Sequence, residues 1–318
     1  MICERTVAEN AWQVEEGLYR VLLPLPWSVP FVNAYVVKSD GQYMLVDCGV
    51  GTETSLRALG RALKAIGVPP RGLSLLLLTH RHPDHAGAAR AVHEHWGGRV
   101  LLHGAARRTY PSSAEMLSWA VEEGLVGEAL ERLRRERREW PEPLPEGLEP
   151  LAGDTLRFGA VTFDVVHAPG HCSGQVLLHE RNRGWLLSAD QILTPLAANV
   201  WYQAQGEGDP LGEYLESLEA TARIAADLVL PGHAAPWRGG PAQGAQQMLS
   251  FQRDYIERVA ACVDAAPQTA WQVTERFAAS QGGRATDASE LAEVLAALVH
   301  LGETGRIQRT EERRWIRS

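Results

Sequence analysis

Between residues 79 and 85 the chain reads Thr-His-Arg-His-Pro-Asp-His, which places four side chains able to ligate a metal, His80, His82, Asp84 and His85, within six residues. The apolar run Leu75 to Leu78 before it reads as a buried strand, and Ala86-Gly87-Ala88-Ala89 after it as the start of a small-residue helix. In extended backbone, side chains two apart face the same way, so His80 and His82 can converge on one centre. Pro83 biases His82 away from helical dihedrals, and Asp84 and His85, on the next turn, can address a second centre. The plainer alternative is a strand-to-helix turn capped by Asp84, with the histidines as surface polar groups. The density of ligand types argues against it, and it ties the fold to a strand end that other ligand-bearing loops must meet.

Three such loops are present. Ala168-Pro169-Gly170-His171 follows the apolar run Val161 to Val166, Ser188-Ala189-Asp190 ends the run that begins at Trp185, and Pro231-Gly232-His233 ends Leu228 to Leu230. A lone Pro-Gly-His is usually a turn. Three ligands, each delivered straight after an apolar strand, are what loops at one sheet edge would provide around a shared site. Imidazole nitrogens and carboxylate oxygens suit zinc first, with iron or manganese as alternatives, and zinc would sit about 2.0 to 2.2 Å from each donor.

The remaining chain mixes strands and helices. Further buried strands read at Ala34 to Val37, Tyr43 to Val46, Val100 to Leu102 and Val176 to Leu178, with helical patterns at about Glu53 to Ile66, Ala86 to His95 and Gly212 to Ala226. The alternation points to an α/β layered fold. Residues 105–149 carry no convincing strand and read as a helical insertion, rich in Arg and Glu and ending in a Pro-rich stretch, fit to cap a site. After residue 240 the pattern turns almost wholly helical, at Ala245 to Asp264, Ala270 to Ser280 and Ser289 to Leu301, before a closing segment, 302–318, that could form a small hairpin. The expected division is a catalytic domain over 1–240 and a small helical domain over 241–318.

These ligand types, in this order, resemble the metallo-β-lactamase superfamily, in particular its glyoxalase II, lactonase and RNase Z branch with the signature HxHxDH. The resemblance covers about Val14 to Trp237. It implies a four-layer αββα sandwich and two divalent metal ions, one held by His80, His82 and His171, the other by Asp84, His85 and His233, with Asp190 bridging. Asp47, in Leu45-Val46-Asp47-Cys48-Gly49, looks like the family's early strand ending in an acidic residue, a support that orients a ligand or the bridging water. Ala189 stands where the family often has Gly. Residues 241–318 resemble, much more weakly, the winged-helix appendage of some members; packing against the catalytic domain or formation of a homodimer is the role expected for them.

Other candidates are weighed against simpler roles. His167 can donate to the site or to the substrate, or be satisfied by backbone. Cys172, beside His171, could offer a thiolate, although His171 already fills the family position. His103, His179 and His300 read as structural, and His93 and His95 as solvated. Trp201 and Tyr202, soon after Asp190, are the best placed for substrate contact; Trp27, Phe31, Met116 and Trp119 could line an apolar pocket or simply pack. In the insertion, Arg107, Arg108, Arg132, Arg134, Arg135, Arg137 and Arg138 alternate with glutamates at helix-stabilising spacings such as Glu128 with Arg132 and Glu131 with Arg135, which favours a solvated helix over an anion-binding patch.

A net charge of -8 disfavours a surface built to attract nucleic acid. The scattered Cys3, Cys48, Cys172 and Cys262 show no disulfide framework, and the polar stretch to Asn10 lacks the character of a signal peptide. No segment approaches the roughly 20 apolar residues needed to cross a bilayer. A cytoplasmic protein acting on a small substrate, with an anionic one as the sharper alternative, is expected, away from membranes. Two metals sharing a hydroxide need no serine or cysteine nucleophile, so the expected reaction is hydrolysis of a small ester, thioester or lactone. Asp84 and Asp190 are the catalytic carboxylates, ligands first and aids to proton transfer second. The rivals are an endoribonuclease or phosphodiesterase of the same fold, a mononuclear iron persulfide dioxygenase, and a silent metal-binding module.

Overall fold

The first sheet grows strand by strand along the chain, in a computed structural model that describes residues 4–107, 112–135, 144–195, 197–202, 208–283 and 286–317. Strands β1 (Arg5–Ala8), β2 (Ala11–Glu15), β3 (Leu18–Pro24), β4 (Phe31–Ser39) and β5 (Gln42–Val46) are antiparallel neighbours. Strands β6 (Leu75–Leu78), β7 (Arg99–His103) and β8 (Glu149–Leu151) then add in parallel. The second sheet contains β9 (Thr155–Phe158), β10 (Val161–His167), β11 (Val176–Glu180), β12 (Trp185–Ala189), β13 (Leu228–Pro231) and β14 (Trp237–Arg238), side by side in chain order.

The four consecutive leucines of β6 show why its run is apolar without alternation. Leu75 and Leu77 enter the core between the two sheets, while Leu76 and Leu78 face helices on the outer side, so both faces of the strand are covered. The helices there are α1 (Glu53–Ile66) and α3 (Ala89–Trp96). Helix α1 starts at Thr52, whose side chain accepts from Ser55 N, stops at Gly67 in the left-handed region, and buries Leu59, Ala62, Leu63 and Ile66. The helix expected over Ala86 to His95 is instead two pieces, α2 (Pro83–Ala86) and α3. Gly87 lies at the break, where a Cβ would meet Pro83 O at 2.3 Å and Val50 Cα at 3.2 Å. This close approach lets the ligand-bearing turn tuck under the end of β5.

On the far side, Ile224 and Ala226 pack on the outer face of the second sheet, just beyond α6 (Pro210–Thr221), which is tied to the strand-end loops by Ser217 donating to Pro169 O and Tyr214 donating to Gln191 O. Helix, sheet, sheet and helix make the four layers. The insertion contains α4 (Ser113–Glu122) and α5 (Gly127–Arg135), and the chain closes with α7 (Ala242–Ala260), α8 (Ala270–Ser280), α9 (Ala288–Glu303) and a hairpin of β15 (Ile307–Arg309) and β16 (Trp315–Arg317). These helices and α6 share one apolar core, in which Trp119 of α4, Tyr214 of α6, Met248 of α7, Phe277 of α8 and Leu295 of α9 are all buried. No described helix is long and apolar enough to cross a membrane.

Candidate metal centre

At one edge of the facing sheets, the ends of β6, β10, β12 and β13 bring their loops together. His80, His82 and His171 offer ligand atoms that all lie within 4.8 Å of one another, and so do Asp84, His85, Asp190 and His233. Asp190 faces both groups: its Oδ1 lies 3.3 Å from His85 Nε2, and its Oδ2 lies 3.5 Å from both His171 Nε2 and His233 Nε2. Asp84 Oδ2 is 3.1 Å from His233 Nε2. His80 turns Nε2 toward His82 Nδ1 at 3.1 Å, two ring nitrogens converging on the same space.

Four of these imidazoles are gripped from behind through Nδ1, which leaves Nε2 to point inward. His80 Nδ1 lies 3.0 Å from Thr79 Oγ1, His85 Nδ1 is 2.7 Å from Asp47 Oδ2, His171 Nδ1 is 2.7 Å from Asn199 O, and His233 Nδ1 is 2.9 Å from Phe31 O. Each contact places the proton on Nδ1 and frees the Nε2 lone pair, as a metal-ligating histidine requires. His85 Nε2, His171 Nε2 and Asp190 Oδ1 are buried without a hydrogen-bond partner. Polar atoms left so cost about 1–3 kcal/mol each, and a cation among them would satisfy all three at once. The donor set therefore fits divalent metal ions.

The electrostatics divide the groups. Burial pushes His80 well below the ordinary histidine pKa and His82 down to about 3, with neighbouring imidazoles adding to the effect. Burial also lowers His171. It works against charge on His85 and His233 too, but there Asp190 and Asp84 outweigh it, holding His85 well above its usual value and His233 up to about 10. Burial would raise the two carboxylates; His85 first, then His233, overcomes it and keeps both below the normal range. One half is thus a set of neutral imidazoles with available lone pairs; in the other, Asp190 and Asp84 favour a second proton on His85 and His233, which a cation at Nε2 would replace.

Residues that carry no ligand hold these loops, and the sequence did not single them out. Thr79 donates from its backbone N and its hydroxyl to the two oxygens of Asp47, tying β5 to the ligand turn. Asn33 Nδ2 donates to Pro231 O and Ala234 O, and the Tyr35 hydroxyl also donates to Pro231 O, so β4 of one sheet clamps the His233 loop of the other. Gln175 Oε1 accepts from Asp190 N, Gln175 Nε2 donates to Gln191 Oε1, Gln191 Nε2 donates to Ser217 Oγ, and Ser217 donates to Pro169 O. The only signal for the glutamines was a polar side chain set directly against an apolar run or a ligand.

The backbone is specialised as well. Asp47, Ala189 and Ala234 adopt φ of 58°, 46° and 68°, the left-handed region that favours glycine. That conformation accounts for the suitability of glycine at position 189. At Gly232 a Cβ would lie 2.2 Å from Asp190 Oδ1 and 2.8 Å from His85 Cε1, so bare backbone here forms part of the site wall.

The other candidates separate. His167 joins neither ligand group: its Nε2 meets Ser173 O at 2.8 Å and its ring stacks on His103 at 4.5 Å, so backbone satisfies it as in the simpler alternative, and it braces the loop that carries His171. Burial drives the Cys172 thiol up to about 12, and the two ligand groups include no cysteine among the described residues. Trp201 stands 5.9 Å, centroid to centroid, from the His82 ring, whereas Tyr202 packs toward the helical core with its N donating to Ala292 O. Trp119 is buried in that core, Met116 packs on it, and Trp27 is exposed. His179 meets Ala225 O, His300 meets Asp209, His93 meets Gly98 O, and exposed His95 meets Ala91 O. Arg134 pairs with Glu131, while Arg108, Arg137, Arg138 and Cys3 lie outside the described residues.

The family model described as the metallo-beta-lactamase superfamily matches residues 27–233. Among curated proteins, the probable metallo-hydrolase YqjP of Bacillus subtilis is 26% identical over 291 residues, 82% of this chain and 85% of its own. Acyl-coenzyme A thioesterase MBLAC2 of Gallus gallus is 26% identical over 235 residues, 72% of this chain and 80% of its own. The crystal structure of a metallo-beta-lactamase family protein from Thermus thermophilus aligns with a TM-score of 0.83 and 26% identity, covering 96% of this chain and 100% of that one.

Proposed function

The chain belongs to the metallo-beta-lactamase superfamily, and from that premise we propose that it is a two-metal hydrolase of small acyl thioesters, with esters and lactones as related substrates. The observation that carries this reading is the convergence of two ligand groups on one carboxylate, Asp190, with buried Nε2 and Oδ1 atoms left for cations to satisfy. The thioester preference draws on the similarity to an acyl-coenzyme A thioesterase.

His80, His82 and His171 would hold one ion and Asp84, His85 and His233 the other, with Asp190 shared. Zinc suits this mixture of nitrogen and oxygen donors, as do iron and manganese. Bound there, the ions would supply an activated water as nucleophile and a Lewis acid for the carbonyl oxygen of the substrate. The protein's own part is orientation: Nδ1 contacts fix four imidazoles, and the Asp47–Thr79 pair locks His85. Asp84, the most exposed of the ligands, is the carboxylate best placed to pass a proton between water and the leaving thiolate.

Purified protein assayed in parallel against acyl-coenzyme A thioesters, lactones, a phosphodiester reporter and single-stranded RNA should turn over thioesters, lose that activity to a chelator and regain it with added metal. Asp190→Ala should lose bound metal and activity together, with activity down at least about a hundredfold. Phosphodiester or RNA cleavage without thioester turnover would replace this reading with a nuclease. Full activity in Asp190→Ala would remove the shared carboxylate from the mechanism.

A further inference from the structure

Helix α9, far along the chain from every ligand, reaches the edge of the candidate metal centre through one side chain. The stretch 197–202 leads away from the Asp190 loop and is tied down three times. Asn199 O meets His171 Nδ1 at 2.7 Å, Ala198 O accepts from Gln252 Nε2 of α7 at 3.3 Å, and Tyr202 N donates to Ala292 O of α9 at 3.0 Å. Trp201 lies within this tethered stretch, its indole tilted by 53° against the ring of His82 at 5.9 Å. Its one polar atom, Nε1, donates to Glu293 Oε1 of α9 at 3.2 Å.

An indole has an apolar body and a single donor, so anchoring that donor sets the ring's rotation and leaves its faces for apolar contact. We propose that Glu293 is a positioning residue for substrate recognition: it holds Trp201 as an apolar wall beside His82, against which the acyl chain of a thioester lies while its carbonyl meets the metal centre. This inference rests on the thioesterase reading and deepens it, giving α9 a part in choosing the substrate. Glu293 acts here through the indole of Trp201, so by this route its influence falls on acyl-chain binding rather than on the chemical step.

The test compares wild type, Glu293→Ala, Glu293→Gln and Trp201→Phe on acetyl- and lauroyl-coenzyme A, with bound metal measured for each. Glu293→Ala should raise KM for the lauroyl thioester about tenfold, the worth of one lost hydrogen bond to a charged acceptor, while kcat, metal content and KM for the acetyl thioester stay within about twofold. Glu293→Gln keeps an acceptor oxygen and should restore the chain-length preference. Independently of turnover, subtracting the Trp201→Phe emission spectrum from that of wild type isolates Trp201. The same component should move to the red in Glu293→Ala as the freed ring meets more water. Unchanged chain-length dependence with an unshifted spectrum would overturn the proposal, as would an equal loss for both substrates accompanied by metal loss, which marks a purely structural contact. Absence of thioester turnover by wild type sinks the functional reading and the substrate part of this one with it; wild-type turnover matched in every respect by Glu293→Ala sinks this one alone.

Discussion

Asp47 shows how much of a metal centre can depend on a side chain that is not itself in either ligand group. Its backbone takes φ of 58°, a conformation that costs free energy for any residue with a Cβ, and in return its carboxylate reaches Thr79 N, Thr79 Oγ1 and His85 Nδ1 at 2.7 to 2.8 Å. The negative charge stabilises the Nδ1–H tautomer of His85 and so directs Nε2 to the ion. Asp47→Asn preserves size and tolerates the left-handed backbone, yet it removes the charge and turns one acceptor into a donor. Metal affinity should fall about 10- to 100-fold, the usual cost of losing a partner behind a ligating histidine, while the far-ultraviolet circular dichroism stays that of wild type. Competition against a graded series of chelators measures it; affinity equal to wild type would show that His85 needs no such brace.

Between elements, the decisive feature is the polar chain Gln175–Gln191–Ser217, which links the start of β11, the loop after β12 and helix α6 inside an otherwise apolar layer. Gln175 and Gln191 are wholly buried, so each amide must find its partners within the protein. Gln191→Leu keeps roughly the same volume but leaves Gln175 Nε2 and Ser217 Oγ with fewer partners, at a cost of about 2 kcal/mol. Urea unfolding of the metal-free protein should show that loss in the midpoint with an unchanged slope; an unchanged midpoint would mean that the network adds nothing to stability. Such links explain what the sequence could and could not disclose. The strand cores at Leu75 to Leu78, Val176 to Leu178 and Leu228 to Leu230 were legible because burial on both faces writes an unbroken apolar run, and the candidate ligand positions that converge here because each follows such a run. Strand β2 was not legible: its burial is partial, and Trp12 and Gln13 blur the period. The break between α2 and α3 rests on Gly87 approaching Val50, and the clamp of Asn33 on Pro231 and Ala234 joins residues about two hundred positions apart, neither of which leaves any local pattern.

On the scale of the whole molecule, the question is whether residues 241–318 form a unit of their own. Helices α7, α8 and α9 share their apolar core with α4 of the insertion and with α6, so that core is assembled from both sides of the expected boundary. Polar contacts cross in the same places. Arg309 of the closing hairpin meets the buried carboxylate of Glu123 at 2.7 Å, Trp271 N donates to Glu123 O, and Gly124 lies so close to Thr269 that a Cβ would approach its side chain to 2.6 Å. Removing residues 241–318 would uncover Trp119, Leu211, Tyr214 and Leu218, each losing about 1.5–3 kcal/mol of burial. It would also leave Glu123 without its cation. That sum is comparable with the whole stability of an ordinary domain, about 5–15 kcal/mol. A chain of residues 1–240 should therefore be recovered in aggregates or as a soluble species without cooperative unfolding or bound metal, whereas the full chain melts in one transition. Soluble yield, calorimetry and metal content of the two chains decide the matter. A shortened chain that folds cooperatively and retains its metal would show that the first 240 residues stand alone, and that α9 is a late addition to the wall beside His82 rather than part of what holds the centre together.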